Sequence, residues 1–124
     1  FEHIMSTLTS IAPSLVAEVG STLISEGRGA LVPQLEAGII ERCTYDESVD
    51  AGYIYFVRPA SSLHFAKRAA PVAETIPFLS AGFNVDVDHD GNIFGIEFLD
   101  RADFFAELRG GKCALARQSS GTGR

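Results

Sequence analysis

The 124-residue sequence predicts an α+β fold: an antiparallel β-meander of about five strands with an N-terminal helical extension and a C-terminal helix. Three observations predict it. Residues 83–99 alternate apolar and polar positions around an Asp-Gly step, the pattern of a β-hairpin. Residues 39–46 and 51–58 are two further strand-like runs separated by a polar turn. An apolar stripe at helical spacing precedes these strands, and a second helical pattern follows them.

Residues 1–4 precede Met5 and read as an expression scar. Residues 5–38 form the helical extension, with a first helix over residues 10–26. Ser10 is its candidate cap, and Pro13 falls in the first turn, where proline is tolerated. Ile11, Leu15, Val19 and Leu23 recur every fourth residue, and Ala12 and Val16 widen the stripe. Gly27 and Gly29 end this helix. Leu31 to Ala37 reads as a second, short helix stopped by Gly38.

Residues 39–110 form the sheet domain with its C-terminal helix. The first strand is IIERCTYD and the second AGYIYFVR, joined by Glu47-Ser48-Val49-Asp50. Tyr53, Ile54, Tyr55, Phe56 and Val57 are apolar or aromatic on both faces, which predicts a central strand covered on both sides. Residues 60–70 read equally as a loop or as a short helix capped by Ser61 or Ser62. His64 lies there beside Leu63 and Phe65, a setting that suits packing better than catalysis. Residues 71–77 have strand length with proline at both ends, which predicts an edge strand.

The stretch from Phe83 to Leu99 supports two readings. Asp86, Asp88, Asp90 and Glu97, with Gly91 at the turn, fall at EF-hand spacing and would bind calcium through hard oxygen ligands. An EF-hand also needs a helix on each side. The upstream segment carries Pro71, Pro77 and Gly82, all poor helix guests. The hairpin reading closes on Asp90-Gly91 and pairs Val87 with Phe94, Val85 with Ile96 and Phe83 with Phe98 on one face. Asn84 with Glu97 and Asp86 with Gly95 fall on the other, and a one-residue slip would scatter the apolar set. The hairpin is the preferred reading, and a calcium site in its acidic turn is the alternative. After the hairpin, Asp100 reads as a helix cap with Asp103 three residues on. Phe104, Phe105 and Leu108 give the helix an apolar face, and Gly110 and Gly111 stop it. Residues 111–124 read as a flexible tail.

Two segments together resemble a bacterial family known as domain-of-unknown-function family 2283. The first is Tyr45-Asp46-Glu47-Ser48-Val49-Asp50-Ala51-Gly52-Tyr53-Ile54. The second comprises Val72-Ala73-Glu74-Thr75 and the run from Val85 to Asp100, in which the aspartates, the turn glycine and the Gly95-Ile96-Glu97 step fall in order. The similarity covers about residues 41–104. It implies a small antiparallel meander followed by a helix. Some members are encoded beside toxin-like proteins, which implies an antitoxin or partner role. Gly52 replaces the usual larger apolar residue, the connection from Pro59 to Ala70 is longer than the family's, and the first 38 residues are an addition. The family brings no established activity, so no catalytic residue carries over.

Composition narrows the function classes. Hydrophobic residues make up 46% and charged residues 21%, enough for a core and too apolar for disorder. A net charge of −6 argues against a nucleic-acid binder. Arg109, Lys112, Arg117 and Arg124 are spread through a Gly/Ser-rich segment and read as solvated. Cys43 and Cys113 have no zinc spacing, no run suggests a transmembrane helix and no signal peptide is recognised, so a reduced, cytoplasmic protein is expected. No serine, cysteine or histidine constellation and no phosphate loop marks an active site. The acidic turns, Asp46-Glu47-Asp50 and Asp86 to Glu97, read first as solvated strand ends. The expected function is a non-enzymatic interaction or scaffold module without a cofactor, acting as a homodimer or with a protein partner.

Overall fold

The computed structural model describes residues 7–57, 72–111 and 115–117. The readings of residues 1–4, of Cys113 and of 60–70 with Ser61, Ser62 and His64 lie outside them.

The predicted first helix is two helices. Helix α1 (Leu8–Ile11) is capped by Thr7, whose side chain accepts from the Ser10 amide, so the cap lies three residues ahead of Ser10. Ala12 then leaves helical geometry at φ −140°, and α2 (Pro13–Ser25) restarts with proline at its first position. Proline fixes φ and has no N–H to leave unpaired there. Gly27, at φ +77°, closes the helix end, a conformation glycine adopts without a Cβ clash. A single 3-10 turn (Gly29–Leu31) leads into α3 (Val32–Ala37).

Strands β1 (Ile40–Asp46) and β2 (Ala51–Phe56) pair antiparallel across the Glu47–Asp50 turn. Strands β3 (Glu74–Phe78), β4 (Phe83–Val87) and β5 (Ile93–Leu99) form an antiparallel meander. Helix α4 spans Ala102–Gly110, and β6 spans Leu115–Arg117. The strand order is β3-β4-β5-β2-β1-β6.

This order departs from a simple meander in two ways. The chain after β2 crosses to the far edge, so β2 pairs with β5 and β3 becomes an edge strand. The expected flexible tail contributes β6, which lies parallel to β1 with Cys43 opposite Leu115. The five antiparallel strands, the helices before them and the helix after them stand as predicted.

The hairpin also stands, with one shift. Phe83 faces Phe98, Asn84 faces Glu97, Val85 faces Ile96 and Asp86 faces Gly95, but Val87 faces Ile93 and not Phe94. The turn is a three-residue loop, not a two-residue one. The Asp88 amide donates to the Asn92 carbonyl at 2.8 Å, the Gly91 amide donates to the Asp88 carbonyl at 3.1 Å, and Gly91 sits at φ +82°. That is a tight turn closed by a left-handed residue, which places a bulge in the strand behind it. Asp88 selects this loop because its Oδ1 accepts from the amides of Asp90 and Asn92 at 2.9 and 3.0 Å. Gln34 of α3 fixes it from below, donating to the Gly91 carbonyl and accepting from the Ile93 amide at 2.8 Å.

All four described helices contribute to one core on one sheet face. Leu8, Leu15, Val19, Leu23 and Leu35 meet Ile54, Val85, Ile96 and Phe98 there, with Phe104 and Leu108 of α4 in the same cluster. Phe98 fills the space over Gly52: a Cβ at Gly52 would lie 2.4 Å from its ring. The small residue is therefore matched to a large one across the β2–β5 pair. Arg101 ties the layers together, donating to both Glu18 carboxylate oxygens, to Asp103 and to the Ala81 carbonyl. It also occupies the N-cap position of α4, because Asp100 is left-handed at φ +55° with its amide on the Asp50 carbonyl. The expected Asp100 cap is thus displaced by one residue.

Candidate interaction face

Strand alternation puts a second set of side chains on the sheet face away from the helices. They form two rows. Arg42, Tyr55, Gly95, Asp86 and Thr75 follow one another across β1, β2, β5, β4 and β3. Thr44, Tyr53, Glu97, Asn84 and Pro77 form the next row. Thr44 is buried, while Tyr53 and Tyr55 are half-buried. The hairpin bulge brings Phe94 to the same aromatic group. Its ring centroid is 6.4 Å from Tyr53 and 6.1 Å from Tyr55, and the two tyrosines are 4.5 Å apart. None of the three belongs to the core cluster or to the side chains packed against it. β2 is therefore central as expected, but among the described residues no helix covers its second face.

Polar contacts tie the strands of this face together. Tyr53 donates its hydroxyl to Asp86 at 2.5 Å, reaching past β5 to β4. It can do so because Gly95 has no side chain: a Cβ there would lie 2.2 Å from the Tyr53 ring and 2.6 Å from the Ile54 carbonyl oxygen. Burial, and then the hydrogen bond to Asp86, push the Tyr53 hydroxyl well above its ordinary pKa. The second Asp86 oxygen accepts from Thr75 at 2.6 Å. Asn84 donates to Glu97 at 3.1 Å, and the Asn84 Oδ1 atom is buried with no hydrogen-bond partner among the described residues. On β1 the Arg42 guanidinium lies 3.7 Å above the Tyr55 ring, a cation–π contact. The face therefore carries an exposed cation at its β1 side, aromatics in the middle and carboxylates toward β4. Leu79, Leu99 and Arg101 line a cleft with Asn84, and Leu79 is 81% exposed.

The four residues considered for calcium are spread over different settings. Asp86 and Glu97 lie diagonally on this face, each engaged as an acceptor. Asp88 is buried in the hairpin loop with Oδ1 on backbone amides, and Asp90 is exposed at the loop tip. Among the described residues no three or more His, Cys, Asp or Glu side chains group as a metal site would require. The other acidic turn is internally bonded too. Asp46 accepts from the Ser48 amide and hydroxyl at 3.0 and 2.7 Å, and Asp50 accepts from Tyr45.

Sequence reasoning identified the Asp86–Gly95 and Asn84–Glu97 pairs of this face. It missed the Tyr53–Asp86 bond and the place of Phe94. A glycine in the middle of a strand is the signal that could have found the first, since it marks a close approach by another group.

Residues 42–100 match a family model described as "Protein of unknown function (DUF2283)", which bears out the resemblance read from the sequence. The match covers most of β1 and all of β2 to β5, and with them every side chain of the two rows. No curated protein and no solved structure matches the chain. Among the described residues, no helix is long and apolar enough to cross a membrane.

Proposed function

We propose that this chain is a non-enzymatic protein-interaction or scaffold module whose working surface is the sheet face opposite the helices. The observation that carries the reading is the aromatic group of Tyr53, Tyr55 and Phe94. It stands outside the core on a face that no described helix covers. Clustered aromatics beside an exposed arginine are the composition that protein interfaces favour. The polar groups of the same face serve structure: Asp86 and Glu97 are held by hydroxyl and amide donors.

Photo-cross-linking tests the reading. A benzoylphenylalanine in place of Tyr55 should capture a protein, this chain or another, when the cells producing it are irradiated. The same group in place of Glu26, exposed beyond α2 on the helical layer, is the control. Equal capture at both positions, or capture at neither, would refute the reading.

A further inference from the structure

The geometry points to a second copy of this chain as the occupant of that face, packed about a two-fold axis parallel to the strands, with Arg42 of each copy against Asp86 of the other. This rests on the interaction reading and names its partner.

Self-complementarity of charge is the argument. Arg42 and Asp86 lie in one row, separated by Tyr55 of β2 and Gly95 of β5. They are therefore equidistant, in strands, from a line running between β2 and β5. A two-fold axis along that line, lying between two facing sheets, carries β1 of one copy over β4 of the other and keeps the row. The symmetry then makes two Arg42–Asp86 contacts and brings Tyr55 over the partner's Gly95, where the partner's Tyr53 ring lies. Each Asp86 oxygen accepts one hydroxyl bond within its own chain, and a carboxylate oxygen has a further lone pair for a guanidinium. Isologous pairing of this kind needs one patch only, and sheets pack face to face with their strands nearly aligned.

Other occupants fit the charge pattern less well. A basic partner would meet Asp86 and Glu97 but collide with Arg42, and an acidic partner would meet the reverse. A copy of the same face satisfies both margins at once.

The size of the face sets the strength. Six strands at about 4.8 Å and five residues of length give a footprint of roughly 500 Å². Stable complexes bury about 800 Å² per partner, so the dimer should be reversible, forming between about 10 μM and about 1 mM.

Two measurements test it. Sedimentation equilibrium of the unaltered chain should show reversible growth from 13.3 kDa toward twice that mass, weakening as salt is raised. Arg42→Glu should weaken association about ten-fold, and Asp86→Lys likewise. An equimolar mixture of the two should associate to within a few-fold of the unaltered chain, because swapped charges pair across the mixed dimer. A single 13.3 kDa species up to about 1 mM overturns the second copy, as does Arg42→Glu associating normally.

Arg42→Lys keeps the charge and avoids disturbing Asp86. Treated with a carbodiimide, its amine should form an amide with Asp86 in the dimer band. Within one chain the two positions are three strand spacings apart, about 14 Å, beyond a zero-length link. A dimer band cross-linked elsewhere would overturn this pairing. In that case, capture at Tyr55 but not at Glu26 would leave the interaction reading intact.

Discussion

Tyr45 shows how one side chain joins a core to a turn. Its ring stacks on Phe105 with centroids 3.9 Å apart, while its hydroxyl donates to Asp50 in the β1–β2 turn. Asp50 is left-handed at φ +50°, and its carbonyl holds the Asp100 amide at the start of the α4 connection. The hydrogen bond to Asp50, followed by burial, pushes the Tyr45 pKa from 10.0 up to about 12. A raised pKa means that the fold favours the protonated phenol. Its contribution to stability is complete below pH 10 and is lost as pH rises through about 12. Tyr45→Phe keeps the ring stack and removes the bond. The variant should melt below the wild type at neutral pH, and the gap should close between pH 10 and 12. A gap that stays constant through that window would show that the hydroxyl bond does not carry the difference.

At the scale of elements, the start of α2 depends on a residue of α4. Ala12 provides no side-chain cap, so the first amides of α2 need acceptors from elsewhere. Glu107 supplies both: its carboxylate accepts from Ser14 at 2.8 Å and from Leu15 at 2.9 Å, at the positive end of the helix dipole. Glu107→Ala should cost about 1–2 kcal/mol in denaturant unfolding, the range for a lost helix cap, and Glu107→Gln less, since one acceptor oxygen remains. Equal losses for the two would point to packing and away from capping. This bond joins residues 92 and 93 positions apart, which is why the sequence does not reveal it. What the sequence reveals is local. The apolar stripe of α2, the hairpin and the edge position of β3 follow from spacing, turn chemistry and proline placement, and all three are found. The single helix over 10–26 splits because Pro13 starts a helix better than it continues one. Phe94 changes face because Asp88 lengthens the loop through its own side chain. β6 has three residues and no pattern, and its partner strand lies some seventy residues earlier. On the candidate face, the pairs within the hairpin were legible. The reach of Tyr53 to Asp86 was not, because it requires β5 to lie between β2 and β4.

Among the described residues the molecule is a sheet with its helical layer on one side, and that layer comes largely from outside the segment that matches the family model. Residues 42–100 supply Ile54, Val85, Ile96 and Phe98, but the side chains that bury them lie before residue 39 and after residue 101. Leu8, Leu15, Val19, Leu23 and Leu35 are each 0% exposed. Burying such a side chain contributes about 1.5–3 kcal/mol, so the five together contribute roughly 10 kcal/mol. That equals the whole net stability of a typical domain, about 5–15 kcal/mol. Among the described residues, those before residue 39 therefore supply eight of the 22 buried core side chains and are not an appendage to the core. A chain beginning at Gly38 should show no cooperative thermal transition and should bind a hydrophobic dye through its uncovered inner face. Adding a peptide of residues 1–37 should restore the transition, since the contacts it makes are side-chain packing and the Glu107, Arg101 and Gln34 bonds across the layers. A chain from Gly38 that melts cooperatively within a few degrees of the full protein would mean that α4 alone closes the sheet and that the N-terminal helices are dispensable to the core.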